Sequence, residues 1–143
     1  MRQFVVFTLD AQRFVLDIDL VSRVIWAVAV EPIPTAPPEL LGAINVHGRV
    51  VPVINLRHLL QLPQREMQQT DQMILCQFDT KAVALWADDV GSVLQCDDVE
   101  LREGTQFFAD MPLLDFVIEK NKELFLGYRW ATLIQTCLEK VTV

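Results

Sequence analysis

The chain repeats itself, and the repeat limits what it can fold into. Phe4-Val5-Val6-Phe7-Thr8-Leu9, then Asp10-Ala11-Gln12, then Arg13-Phe14-Val15-Leu16 reads as a β-hairpin: two apolar, β-prone runs around a short turn. Met73 to Phe78, Asp79-Thr80 and Lys81 to Leu85 read the same way. Sliding the first segment along the sequence by 69 positions gives an ungapped match over twenty residues. Val5, Val6, Phe7 and Leu9 fall on Ile74, Leu75, Cys76 and Phe78, and Phe14, Val15 and Leu16 fall on Val83, Ala84 and Leu85. Val21 and Val24 fall on Val90 and Val93, while Asp10 lands on Asp79 and Asp19 on Asp88. The offset is close to half of the 143 residues, so the chain is read as a duplication. A unit of about 70 residues buries too little apolar surface to stand easily alone. Two copies sharing one core are therefore expected.

Each half then follows a similar plan. Asp19-Leu20-Val21-Ser22 reads as a tight turn or a single helical turn capped by aspartate. Arg23 to Val30 reads as a third strand, apolar on both faces and therefore expected to be buried between two layers. Prolines 32, 34, 37 and 38 enforce an extended loop. Gly42 to Val46 and Arg49 to Ile54 form another expected hairpin, turning at His47-Gly48, with Gly42 and Gly48 as structural turn residues. Pro52 cannot donate to a ladder, so its strand is expected at an edge or bent. Leu56, Leu59 and Leu60 suit a short helix. Residues 63–72 contain one apolar side chain other than proline, Met67, and read as a linker between halves 1–62 and 73–143 of a single domain. The second half continues with a strand over Gly91 to Cys96 and a charged segment over Asp97 to Glu103. A hairpin follows over Leu114 to Ile118 and Leu124 to Tyr128, and Trp130, Leu133, Ile134, Cys137, Leu138 and Val141 recur at helical spacing. Short strands with frequent turns indicate an all-β chain of two small barrels packed together, closed by a C-terminal helix.

The residues that chemistry needs are sparse. The serines, Ser22 and Ser92, lie in no nucleophile turn, and no paired Cys or His spacing suits a metal. Five glycines are never closer than six residues, which excludes a phosphate-cradling loop. Cys76, Cys96 and Cys137 sit among apolar neighbours and read as buried thiols. Asp88-Asp89 and Asp97-Asp98 fall at expected turns and read as solvated or capping residues, so exchanging Asp88 and Asp89 for Asn is expected to leave partner binding within a few fold. Twelve scattered basic residues against nineteen acidic ones give a net charge of −7, no footprint for nucleic acid. The longest apolar run, Val24 to Val30, is seven residues, where a membrane helix needs roughly 18 to 20. A cytoplasmic protein without catalytic residues, metal or cofactor is expected, built for binding.

One stretch carries a family resemblance. Leu40-Leu41-Gly42-Ala43-Ile44-Asn45-Val46-His47-Gly48-Arg49-Val50-Val51-Pro52-Val53-Ile54-Asn55-Leu56-Arg57 resembles the signature of CheW-like domains: a glycine, an Asn-x-Arg-Gly turn, a Val/Ile-Pro-Val strand and an Asp-Leu-Arg leading into a short helix. Phe7-Thr8-Leu9 with Phe14 to Ile18 is similar to the family's opening hairpin, and Trp86 to Leu94 to its Val-Asp-x-Val-x-x-Val segment. The resemblance implies two SH3-like five-stranded barrels and a stand-alone adaptor. It implies two partners: a CheA-type histidine kinase, through its regulatory domain, and the cytoplasmic tip of methyl-accepting chemoreceptors at the inner face of the membrane. By the same resemblance Val21, Arg23, Val24, Asn45, Val46, His47 and Gly48 face the receptor.

The chain departs from the family pattern at several of these positions. His47 stands where arginine is usual, Arg23 where an acid is usual, and Asn55 where aspartate precedes Leu-Arg. Arg129 stands where the closing pattern has a polar or acidic residue. A diverged interaction protein, acting as scaffold or competitor without a standard chemoreceptor partner, is the alternative function.

Overall fold

The alternation that predicts the first hairpin also decides where it sits. In the computed structural model, which describes residues 1–106 and 110–139, β1 (Arg2–Leu9) and β2 (Gln12–Asp17) pair antiparallel, with Leu9 opposite Gln12. Asp10 and Ala11 both have positive φ, the two-residue turn whose twist matches that of the strands. The repeated hairpin, β6 (Gln72–Phe78) with β7 (Lys81–Ala87), pairs in the equivalent register: Val5 faces Leu16 as Ile74 faces Leu85. The third strands, β3 (Val21–Trp26) and β8 (Asp89–Cys96), are equivalent as well, and each carries a register shift at the same point of the repeat. The twenty matched residues thus take like conformations, as a duplication requires.

A second offset is less visible in the sequence. The hairpin β4 (Leu40–Val46) and β5 (Arg49–Ile54) corresponds to β10 (Leu114–Lys120) and β11 (Glu123–Tyr128), 74 positions later, again with matching register shifts. The short helix α1 (Leu56–Leu59) corresponds to the start of α2 (Trp130–Glu139). Val141, expected on that last helix, lies outside the described residues.

The strands form two sheets. One has five strands in the order β3-β6-β7-β5-β4; the other has six, β8-β1-β2-β11-β10-β9, where β9 is Leu101–Glu103. In terms of the repeat these are the same order, but each sheet holds strands from both sequence halves. The first hairpin lies in the sheet of β8 to β11, and its repeat lies in the sheet of β3 to β5. Residues 63–72 therefore separate two sequence repeats, not two sheets.

This exchange follows from burial. Phe4 and Val15 point into a small cluster within the six-stranded sheet, while Phe7, Leu9, Phe14 and Leu16 point the other way. Met73, Leu75, Ala84 and Trp86 fill the curl of the five-stranded sheet; Ile74, Cys76, Val83 and Leu85 point out of it. The outward sets meet in one shared core, covered by Trp130, Leu133, Ile134, Cys137 and Leu138 of α2. The Trp130 indole donates to the Val15 carbonyl at 2.7 Å, which pairs its one polar atom.

Three expectations are corrected. The third strand ends at Trp26, not Val30, and is not buried between layers: Val24, Trp26 and Val28 are exposed, Trp26 to 66%. The double-sided burial belongs to β1, β2, β6 and β7. The turn before β3 is a 3-10 turn, Ile18–Leu20, capped by Asp17, whose carboxylate accepts from the Asp19 amide; Asp19 is not the cap. Of the two alternatives for Pro52 the edge is excluded, since β5 lies between β7 and β4, and the β4–β5 ladder shifts register beside it, between Leu40 and Gly42. The parallel ladder to β7 begins only at Val53, so Pro52 stands where no donor is needed on that side.

The five-stranded sheet curls until its ends meet: the chain after β3 returns to β4 through reciprocal hydrogen bonds of Glu31 and Ala43, both 2.9 Å. Gly42 makes this closure possible. A Cβ there would lie inside the van der Waals envelope of the Glu31 carbonyl oxygen. Gly48, at φ +84°, has open space around it and needs glycine for its backbone alone. Gly48→Asp is expected to cost about 1 kcal/mol, the usual penalty at positive φ. Gly42→Ala should cost more, because it breaks the bridge to Glu31. Thermal melts of the two variants check both the loss and its order.

Candidate functional site

The site implied by the resemblance is built where the two edges of the five-stranded sheet come together. β3 is one edge and β4 the other. Their approach brings Arg23 Nη1 within 3.2 Å of His47 Nε2. A guanidinium has only donors, so in this contact the imidazole Nε2 is the acceptor. His47 is presented on a two-residue turn with positive φ at both His47 and Gly48. Asn45 holds that turn: its side-chain oxygen accepts from the Gly48 amide at 2.8 Å.

Arg23 and Val46 line one pocket of about 150 Å³ at the end of the barrel, together with Arg49, Val51, Leu75 and Gln77. Val21 and Val24 are not part of it. Val21 is half-buried against the shared core, and Val24 is exposed. Of the seven expected partner-facing residues, the fold thus gathers Arg23, Val46 and His47, uses Asn45 and Gly48 to shape the turn, and directs the two valines elsewhere. Arg49 escaped the sequence reading. Its signal was there: Arg49 shares the parity of Val51 and Val53, whose buried side chains fill the barrel.

A second cluster was missed and is structural. Arg57, on α1 and 1% exposed, donates to Asp10 Oδ1 at 2.6 Å, to both Asp88 oxygens at 2.7 and 2.8 Å, and to the Pro63 carbonyl. Arg65 bridges Asp88 and Asp71, at 2.7 and 2.8 Å. Asp71 also accepts from the Gln68 amide and the Trp86 indole. Burial pushes the Asp71 carboxyl up, but the Arg65, Gln68 and Trp86 donors outweigh it and hold it at about 2 instead of 3.8. The balance runs the same way at Asp88: burial raises it, and the Arg57 guanidinium and the Asp10 amide lower it further.

The capping assignment for Asp88 is therefore corrected. Asp88 sits between β7 and β8, one strand from each sheet, and its oxygens tie the β1–β2 turn, α1 and the segment 63–72 to that crossing. Asp89 is exposed but opens β8 opposite Thr8, so its turn placement is corrected as well. Segment 63–72 is no loose linker either: Arg65 and Asp71 pin it, and Met67 packs against the five-stranded sheet's core. Asn55 does serve as a helix cap, accepting from the His58 amide at 3.3 Å.

The cysteines are buried, and burial pushes the Cys76 thiol up to about 12, far from nucleophilic. Among the described residues no group of three His, Cys, Asp or Glu is arranged to hold a metal, and no helix is long and apolar enough to cross a membrane.

The sequence matches the family described as CheW-like domain over residues 3–122. The chain belongs to that family. The chemotaxis protein CheW of Bacillus subtilis is 25% identical to it over 125 residues, covering 85% of this chain and 80% of that protein. The Thermotoga maritima chemotaxis protein CheW is 30% identical over 95 residues, covering 66% and 62%. The crystal structure of the scaffolding protein TtCheW from Thermoanaerobacter tengcongensis superimposes with a TM-score of 0.81 over 89% of this chain and 88% of that one, at 23% identity. This CheW-like chain therefore has the mainly β, two-sheet fold with a C-terminal helix that the resemblance implied.

The clamp gives two expected outcomes. Asp88→Asn leaves Arg57 with one carboxylate in a buried site and should destabilise by roughly 2–4 kcal/mol, whereas Asp89→Asn should be neutral. Asp71 has a lowered folded pKa, so its contribution is present above the unfolded value of 3.8 and is lost as pH falls through about 2. Melts between pH 5 and pH 2 should show a loss approaching about 2 kcal/mol, and Asp71→Asn should flatten that slope.

Proposed function

We propose that the chain is a non-catalytic adaptor that couples the cytoplasmic tip of a chemoreceptor to a CheA-type histidine kinase in a chemosensory array. The observation that carries this is the family match over residues 3–122, supported by relatives that are themselves chemotaxis proteins. The geometry is consistent with such work: two curled sheets with exposed edges, a half-open barrel end and buried, inert thiols suit recognition of other proteins. The receptor-facing surface is proposed around Arg23, Asn45, Val46, His47 and Gly48, without the two valines, Val21 and Val24, expected with them. Arg23, Val46 and His47 make the contact, and Asn45 and Gly48 hold the turn. In the cell the protein is proposed to be cytoplasmic, held near the membrane by its receptors.

A second function, as a scaffold or competitor without a standard chemoreceptor partner, is favoured by one observation. Arg23 and His47 stand where an acid and an arginine are usual, so the local charge pattern is changed. Calorimetric titration with a kinase regulatory domain and with a receptor-tip fragment separates the two. Coupling requires binding to both and a complex of all three that alters kinase autophosphorylation. Binding to the kinase domain alone supports the scaffold or competitor; binding to neither removes both.

A further inference from the structure

The end of the five-stranded barrel is cationic in a chain of net charge −7, and among the described residues its arginines have no acidic partner. Arg23, Arg49, Val46, Gln77 and Ala82, one from each of the five strands, line the same pocket. None is acidic. Arg23 directs one donor to the His47 ring, and neither Arg23 nor Arg49 takes part in any ion pair among the described residues. Asp79, on the nearby β6–β7 turn, is exposed and makes no ion pair with either. The cavity behind them has an apolar floor, Val51 and Leu75.

The repeat supplies an internal comparison. At the equivalent end of the other sheet, Arg49 corresponds to Glu123 and Ala82 to Arg13, and those two pair at 3.5 Å. Val46 corresponds to Lys120, which is paired with Glu100 and donates to the Gln95 carbonyl. Arg23 corresponds to Ser92. The fold therefore does not demand an unneutralised end. One copy closes its cations with carboxylates from its own chain, and the other leaves two guanidiniums open.

We propose that this mouth is the docking point for a carboxylate side chain of the receptor tip, received by Arg23 and Arg49, with His47 as the residue that positions Arg23. The proposal rests on the adaptor function above and adds the chemistry of the contact. A volume of about 150 Å³ takes one acidic side chain and not a nucleotide. The guanidinium fork suits a carboxylate in two-point contact, and the low-dielectric floor strengthens the attraction. Because the mouth is partly open to solvent, its effect is expected on recognition and salt dependence.

The test uses the full chain and a receptor-tip fragment as the probe, in its native form and in forms with single exposed acids changed to Gln or Lys. Arg23→Glu and Arg49→Glu are each expected to weaken tip binding about tenfold or more and to reduce its salt dependence. Arg102→Glu, an exposed cation on β9, should leave both unchanged. One acid-to-Lys form of the tip should recover binding to the Arg23→Glu variant, and His47→Ala should weaken binding less than Arg23→Glu does. Equal melting temperatures of the variants would show that they fold. If Arg23→Glu and Arg49→Glu bind the tip as tightly as Arg102→Glu does, the docking proposal is overturned. The same holds if millimolar phosphate displaces the tip beyond what its ionic strength explains, since the mouth would then be a small-anion site. If the unaltered chain fails to bind any tip fragment, the coupling function fails, which is a different result.

Discussion

Four strands, β1, β2, β6 and β7, carry apolar side chains on both faces, so each has to be covered twice. The inner cover comes from curling: each sheet rolls around its own small cluster, Phe4 and Val15 in one, Met73, Leu75 and Trp86 in the other. The outer cover comes from the opposite sheet and α2, through the shared core that holds Phe7, Phe14, Ile74, Leu85 and Trp130. Neither arrangement is complete without the other, since a hairpin left on its own half would expose one face. The exchange of hairpins between halves, the barrel-like curl and the placement of α2 all answer this one demand.

The ionic cluster is local to the seam that the exchange creates. Arg57 is nearly fully buried, and a buried guanidinium is tolerated only where its donors are met. Asp10, Asp88 and the Pro63 carbonyl accept four hydrogen bonds from its two terminal nitrogens, while Nε is buried without an acceptor. The ring of Trp86 lies 5.7 Å from Arg57 and 5.3 Å from Arg65, so both cations also rest against its π face. The cluster specifies which segments meet at the seam more than it adds to stability, because its charges were well solvated before folding.

Much of this was legible in the residues, and what was not has identifiable causes. Alternation and turn chemistry located the hairpins, and the matched register exposed the duplication. Repeat symmetry cannot say which copy of a hairpin belongs to which sheet, because both choices satisfy the same pattern. The apolar run from Val24 to Val30 looked like a buried strand because hydropathy does not reveal whether a cover exists; among the described residues Trp26 and Val28 are only partly covered. Asp88 looked like a cap because its partners are 31 and 23 residues away, beyond any local spacing rule. Arg49 was visible through parity but hidden by the habit of treating a charged residue beside a turn as solvated. The contact between Arg23 and His47 joins opposite edges of a sheet, which only closure of the barrel brings together.

The exchange of hairpins also orders events in time. The first hairpin is synthesised first, yet its neighbour β8 ends at Cys96, its parallel partner is β11, and its outer cover includes α2 near the end of the chain. Until those segments have left the ribosome, Phe4, Phe7, Leu9 and Phe14 have nowhere permanent to go. The second hairpin finds β3 and β5 already made. In chain order the strands of the five-stranded sheet are all made by Ala87, whereas the opening hairpin's last neighbours, β11 and α2, lie at the other end of the sequence.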